Sequence, residues 1–425
     1  MPARPEYRVD YKNRLGAFAM SDVMTKICDL TKGYEPELIS LRRYFHKHPE
    51  LSWEEIKTTD RLEEELGKIE GVKILRRGFG GTNSGLTAEI RGEKPGTGAG
   101  KCVALRADID GLPVMEENDV EYRSQVDGVM HACGHDGHMA GLITAARTLS
   151  QIRSEFCGTV RLIFEPAEES GIRGGAKVLV EEGALDGVDA IFGLHLFTLY
   201  PAGQVLYRSG PCMASADGWD LNITGKGGHG SAPELAVDPT IAAFMFGNAV
   251  QTLISRETSP KETAVISITS IETSTKTRNI IPESVKLMGA TRALSGELQD
   301  RLEAAMRRTI SGIAQMTRCR MDLDYMRFYP AVINDPALTD ILKDAALGLF
   351  GPEDVKEAPL NMGSEDFSFY GAVVPATFAQ VGVGDRNRPE TCNPHHSATF
   401  DLDESQLWRG AALHAGFAWS YLNRA

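Results

Sequence analysis

Nine positions, Met130-His131-Ala132-Cys133-Gly134-His135-Asp136-Gly137-His138, hold three histidines, a cysteine and an aspartate. The whole chain of 425 residues has ten histidines, so this stretch concentrates a scarce residue type. Its two glycines allow a turn tight enough to bring alternate side chains to one point. A thiolate and an imidazole two residues apart suit neighbouring ligands of one metal ion. Asp136 is placed as a further ligand or as the group that orients one. Two other readings stay open at this level: a histidine-rich loop that binds nothing, and Cys133 as a nucleophile served by a histidine.

Further candidates stand at the ends of apolar runs. Cys102-Val103-Ala104-Leu105 has the composition of a buried parallel strand and empties into Arg106-Ala107-Asp108-Ile109-Asp110. The run from Gly158 to Phe164 ends in Glu165-Pro166-Ala167-Glu168-Glu169, and the run from Val188 to Leu194 ends in His195. Adjacent carboxylates such as Glu168 and Glu169 repel unless a cation sits beside them. With a divalent metal there, one glutamate can ligate while the other holds a proton, the division of labour of metal-assisted hydrolysis. A solvated acidic turn is the plain alternative. Cys133, His135, Glu169, His195 and one histidine of the pair His395 and His396 make five donors. That exceeds one tetrahedral site and suits two metals that share a bridging group.

The elements that must position these groups follow from periodicity. Helices are predicted over 137–150 and 174–182, which gives a β-α-β-α-β order with ionisable residues at the carboxyl ends of the strands. In an open α/β sheet that edge binds ligands. Upstream, residues 34–66 read as helix, broken at His46-Lys47-His48-Pro49-Glu50; with no neighbouring acid, these histidines read as structural. From about 215 the pattern becomes strand 217–224, helix 239–255, strands 264–271 and 284–294, helix 296–316 and strand 319–328, the split βαβ arrangement. The expected division is an N-terminal extension at 1–20, a catalytic domain at 21–214 plus 329–425, and an inserted domain at 215–328.

Composition narrows the class. Against 45 Lys and Arg stand 58 Asp and Glu, a net charge of −13, which argues against a nucleic-acid or anionic-membrane footprint. Seven cysteines without paired spacing indicate a reducing compartment and no disulfide framework. No apolar run approaches the roughly 18 residues of a membrane span, and no secretory h-region opens the chain, so a cytoplasmic protein is expected.

Together these segments resemble the zinc-dependent amidohydrolase and aminoacylase metallopeptidases, in the branch of hippurate hydrolases, N-acyl-amino-acid amidohydrolases and auxin-conjugate hydrolases. The matching pieces run from Leu41 to about Trp408. They are Leu41 through Glu50, Arg106 through Asp110, His131 through Asp136, Pro166 through Glu169, Gly227-Gly228-His229, Asn279-Ile280-Ile281-Pro282, Gly363 through Phe367, and His396 with Ser397 and Phe400. The resemblance implies an α/β catalytic domain with a mixed, largely parallel sheet and an inserted ferredoxin-like lid and dimerisation domain. It implies that Cys133, His135, Glu169, His195 and His396 hold two divalent metals, Zn²⁺ or Mn²⁺, with Co²⁺ or Ni²⁺ also compatible, and that the Cys133 thiolate bridges them. His396 is preferred to His395 because the family's ligand directly precedes Ser or Asn, four residues ahead of an aromatic. Glu168 is then the general base, moving a proton from water to the leaving amine, and Asp108 and Asp136 orient the ligands.

The same resemblance assigns His229 and Asn279 to the substrate carbonyl or carboxylate, with His229 reaching across a dimer interface, and makes Arg292 a candidate for the substrate carboxylate. The activity implied is cleavage of N-acyl amino acids, hippurate-like or N-acetylated, to a carboxylate and a free amino acid. A thiolate held on a metal is a poor nucleophile, which weighs against the cysteine-nucleophile reading. A dipeptidase or carboxypeptidase of the same fold is the neighbouring reading, and a non-catalytic small-molecule binding protein the distant one. Two departures from the family pattern are the bulky, polar Ile271 to Arg278, where relatives carry a Gly-Gly pair, and Ala398 in place of a proline. The first bears on which acyl group or amino acid is preferred.

Overall fold

Strands that are apolar on both faces need cover on both sides, and three such runs make the middle of the main sheet. In the computed structural model, which describes residues 22–424, Cys102–Asp108 lies parallel between Thr159–Glu165 and Ala190–Pro201. The expected extension at 1–20 lies outside the described residues. Ala376–Gly384 continues the parallel set beside Ala190–Pro201. The hairpin of Val72–Arg77 and Leu86–Arg91 joins antiparallel at one side, and Val205–Tyr207 with Val355–Glu357 completes eight strands at the other.

Side chains along the central strand alternate between two cores. Val103, Leu105 and Ala107 enter one core, with the helices His135–Gln151, Pro336–Phe350 and Leu407–Asn423; Cys102 and Ala104 enter the other, with Gly175–Glu181 and Ser368–Gly371. The sheet is thus covered on both faces, and its carboxyl edge is left for chemistry. The predicted break near Pro49 appears as two helices, Glu35–Lys47 and Ile56–Gly67, since proline and the residue before it disfavour continuation.

Between Ala216 and Tyr329 a second sheet forms with its own core. Its strand order is Ala264–Thr273, Ser284–Ala293, Ala216–Thr224, Arg320–Tyr329, all antiparallel, with the helices Pro239–Thr252 and Gly296–Thr317 packed on Trp219, Leu221 and Leu287. This is the β-α-β-β-α-β order. Asp238 and Ser295 accept from Thr240 N–H and Leu298 N–H and so start the two helices. The first helix ends earlier than its periodicity predicts, in a π turn at Leu253–Glu257. No helix among the described residues is long and apolar enough to cross a membrane.

Candidate metal centre

The two glycines of the central motif do different work. Gly134, at φ 86°, takes the left-handed conformation that opens the helix His135–Gln151. At Gly137 a β-carbon would stand 2.6 Å from Leu196, so this glycine lets the helix approach the neighbouring strand. Cys133 and His135 are thereby presented to the carboxyl edge of the sheet. His135 Nδ1–H donates to the Asp110 carbonyl at 3.0 Å, and its buried Nε2 has no hydrogen-bond partner and stands 3.8 Å from Asp108 Oδ1. His195 Nδ1–H donates to the Leu196 carbonyl at 2.8 Å, and its Nε2 is hydrogen-bonded to Cys133 Sγ at 3.4 Å.

The donor atoms of Cys133, His135 and His195 lie within 4.8 Å of one another, and so do those of Cys133, Glu169 and His396. Cys133 therefore belongs to both trios. His396 stands at φ 63°, rare for a residue with a β-carbon, and its Nε2 is 3.0 Å from Glu169 Oε1. His395 is turned away, its Nε2–H donating to the Leu196 carbonyl at 2.9 Å. Two imidazole lone pairs, a thiol and a carboxylate facing one buried space, with no cation of the protein between them, fit divalent metal ions. Asp108, His135 and His138 also crowd together. They make no third site, because His138 donates from Nδ1 to Asp108 at 2.6 Å and accepts Leu196 N–H at Nε2, using both nitrogens.

Glu168 sits beside the trios on a short turn after the strand Thr159–Glu165 and is 7 % exposed. Burial, then the carboxylates of Glu365, Glu169 and Asp366, push its carboxyl well above the usual carboxylate range. Arg106 supplies the local countercharge: fully buried, it reaches Asp108 at 2.5 Å, Glu165 at 2.7 Å, Glu365 at 3.0 Å and Asp366 at 3.1 Å. One cation serves four buried carboxylates, and burial pushes the carboxyls of Glu365, to about 7, and of Asp366 above the usual range.

A cavity of about 460 Å³ is lined by Cys133, Glu168, Glu169, His195 and His396 and by Arg292 from the second sheet. Phe197, Met213 and Phe328 give it apolar walls. Arg292 is held by Ser364 Oγ at 3.1 Å and the Ser215 carbonyl at 3.4 Å. His229 and Asn279 do not line this cavity. They are exposed neighbours on the second unit, joined by Gly230 N–H to the Asn279 carbonyl at 2.8 Å, and His229 Nδ1 meets Ser231 Oγ at 2.7 Å.

Residues 104–420 match peptidase family M20/M25/M40. The chain belongs to that family. Over 405 residues it is 38% identical to thermostable carboxypeptidase 1 of Saccharolobus solfataricus, covering 95% of this chain and all of that one. It is 37% identical over 409 residues to IAA-amino acid hydrolase ILR1-like 4 of Arabidopsis thaliana, with 95% and 90% covered. Among solved structures it resembles the YXEP protein of Bacillus subtilis, a dinuclear metal binding peptidase of the M20 family, with a TM-score of 0.79, 34% identity, and 93% and 100% covered. This M20 chain is a hydrolase of amide bonds, of the metallopeptidase type.

The M20 site is braced by residues whose partners lie far off in sequence. Asp136 accepts Gly137 N–H at 2.9 Å and meets Arg42 Nε at 2.8 Å and His46 Nδ1 at 2.7 Å. Against burial, Arg42 and then His46 hold its carboxyl far below the usual range. The reading of His46 as a histidine without an acid is corrected here: Asp136 and Glu116 flank it at 2.7 and 3.2 Å. These acids are 70 and 90 residues away, beyond the reach of local spacing. Asp110 is a further brace that spacing does not distinguish from Asp108. It meets His135 through its own carbonyl and carboxylate, and Oδ2 accepts from Ser52 at 2.7 Å and from Glu169 N–H at 3.0 Å.

Proposed function

We propose that the chain hydrolyses N-acyl amino acids to a carboxylate and a free amino acid, using two divalent cations that share Cys133. The observation that carries this reading is the double membership of Cys133 in two donor trios that open, with Glu168 and Arg292, into one cavity. Cys133, His135 and His195 would hold one ion, and Cys133, Glu169 and His396 the other. The mixed sulfur, nitrogen and oxygen set suits Zn²⁺, and Mn²⁺, Co²⁺ or Ni²⁺ can occupy a similar set. When bound, such ions polarise an amide carbonyl and lower the pKa of water towards about 7. Glu168 takes the proton of the attacking water and passes it to the leaving nitrogen. Asp108 and Asp136 brace the elements that carry the donors. A cytoplasmic, reducing setting keeps the thiol available, and all seven cysteines are free.

Arg292 pairs with the substrate carboxylate in this reading. Arg292→Ala should raise KM for N-acetyl and N-benzoyl amino acids and for dipeptides by about 10- to 100-fold, the worth of a charge-assisted hydrogen bond. Substrates whose carboxylate is capped as an amide should be equally poor for both enzymes. An equal loss on acid and amide substrates would remove Arg292 from this role. The same panel ranks acylase against carboxypeptidase activity, since a dipeptide is itself an N-acyl amino acid.

His229 and Asn279 lie outside their own chain's cavity, and the reading gives them to the cavity of a second copy, at the substrate carbonyl or carboxylate. The second sheet ends in an unpaired edge, Ala264–Thr273, beside a helix that exposes Ile241 (51 %) and Phe244 (63 %). Such an edge is normally covered. A homodimer is expected by light scattering, and a monomer under assay conditions would rule out action in trans.

A further inference from the structure

The turn carrying Glu168 and Glu169 is a 3-10 segment, Glu168–Arg173, with Gly171 at a kink within it. Ser170 N–H and Gly175 N–H reach the Ala167 carbonyl at 3.4 and 3.1 Å, and both Ala167 (φ 59°) and Gly171 (φ 67°) are left-handed. Side chains from other elements also hold its backbone. Glu55 Oε1 accepts Ala167 N–H at 2.8 Å, and Asp110 Oδ2 accepts Glu169 N–H at 3.0 Å. Tyr329 supplies the third tether. Its hydroxyl donates to the Glu168 carbonyl at 2.5 Å and accepts Gly171 N–H at 2.8 Å, so one phenol spans the turn.

Tyr329 is buried and packs edge-on against Phe369. It is the last residue of Arg320–Tyr329, an edge strand of the second sheet. The tether therefore comes from outside the sheet that carries the metal donors. A phenol can donate and accept at once, whereas phenylalanine would leave a buried carbonyl and an amide unpaired.

We propose that Tyr329 is a positioning residue: through the Glu168–Gly171 turn it fixes the placement of both Glu168 and Glu169. The inference rests on the reading of Glu168 as the proton carrier and Glu169 as a metal donor. The side chains concerned spring from the backbone the phenol grips, so loss of the tether loosens a metal donor and a proton carrier together.

Tyr329→Phe is compared with Tyr325→Phe. Tyr325, on the same strand, donates its phenol to Asp217 at 2.9 Å and does not touch the turn, so it reports the purely structural cost of losing such a bond. Both substitutions keep the ring and its packing. Zn²⁺ is titrated calorimetrically into the chelator-stripped proteins, and turnover of N-benzoylglycine and N-acetyl amino acids is measured on the reloaded ones. Tyr329→Phe is expected to bind one of two Zn²⁺ equivalents about 10- to 100-fold more weakly and to lose kcat by a similar factor with KM near wild type. Tyr325→Phe should match wild type in both.

Equal behaviour of the two variants would overturn the proposal, as would a rise in KM alone, which would make Tyr329 a substrate contact. Glu168→Ala run alongside separates the two layers. If it is active while Tyr329→Phe binds Zn²⁺ weakly, the proton-carrier reading fails and the tether on Glu169 stands. If it is inactive and the tyrosine variants are alike, the tether alone fails.

Discussion

Glu168→Ala is expected to lose turnover by at least about 10²- to 10⁴-fold, the usual contribution of general acid–base catalysis, while keeping its full complement of metal. The loss concerns one proton. A buried carboxyl pushed well above the usual range can hold a proton in the dry site and release it to a leaving nitrogen. Its placement fits that task, because Glu168 belongs to neither trio that contains Cys133 yet lies within 4.8 Å of the donor atoms of His135 and Glu169. Glu168→Gln should behave alike, since an amide keeps the shape and cannot carry the proton. Metal analysis decides between the two roles a carboxylate can have here. Loss of one ion together with turnover would make Glu168 a ligand, and substantial residual activity would end its role as base.

Much of the chemistry is legible in the sequence because it is concentrated. Cys133, His135, Glu168, Glu169 and His195 sit in short motifs or directly after apolar runs, and a parallel sheet brings the carboxyl ends of such runs to one edge. The runs from Cys102, Gly158 and Val188 were therefore enough to foresee the centre of the main sheet. Its flanks are another matter. Val205–Tyr207 and Val355–Glu357 are three residues each, too short for any periodicity to show, and the helix Asp22–Gly33 carries no motif that would draw notice.

The bracing of the site is the least legible part, for a physical reason. Arg106 is one arginine in a motif until four carboxylates from two other segments and its own surround it. Arg42 finds Asp401 and Glu404 about 360 residues further on, and Tyr329 grips a turn 161 residues before it. Burying an ion without its partner costs several kcal/mol, so these contacts must form together with the fold that assembles them. Local spacing carries no trace of such a requirement. His229 is the opposite case: the motif names it, but the single chain leaves it exposed and away from the cavity.

The central claim is that Cys133 joins two cations into one hydrolytic centre, and removal of metal tests it most directly. Without cations the Glu169 carboxylate is left to His396 Nε2 at 3.0 Å, and burial followed by Glu169 and Glu168 pushes the Cys133 thiol well above its ordinary value. A divalent ion reverses that preference, because it binds the thiolate and the carboxylate together and gains from both. Chelator-stripped enzyme should therefore be inactive on N-acyl amino acids at neutral pH. The effect is expected to be as large as that of Glu168→Ala or larger, since the water and the carbonyl lose their activation together. The measurement is release of free amino acid from N-acetyl and N-benzoyl substrates as Zn²⁺ or Mn²⁺ is returned to the stripped protein in counted equivalents. Activity that rises to its plateau at two equivalents per chain, and fails to do so in Cys133→Ala, is the predicted result. Full activity in the stripped protein, or an unchanged two-equivalent plateau without Cys133, would contradict the account.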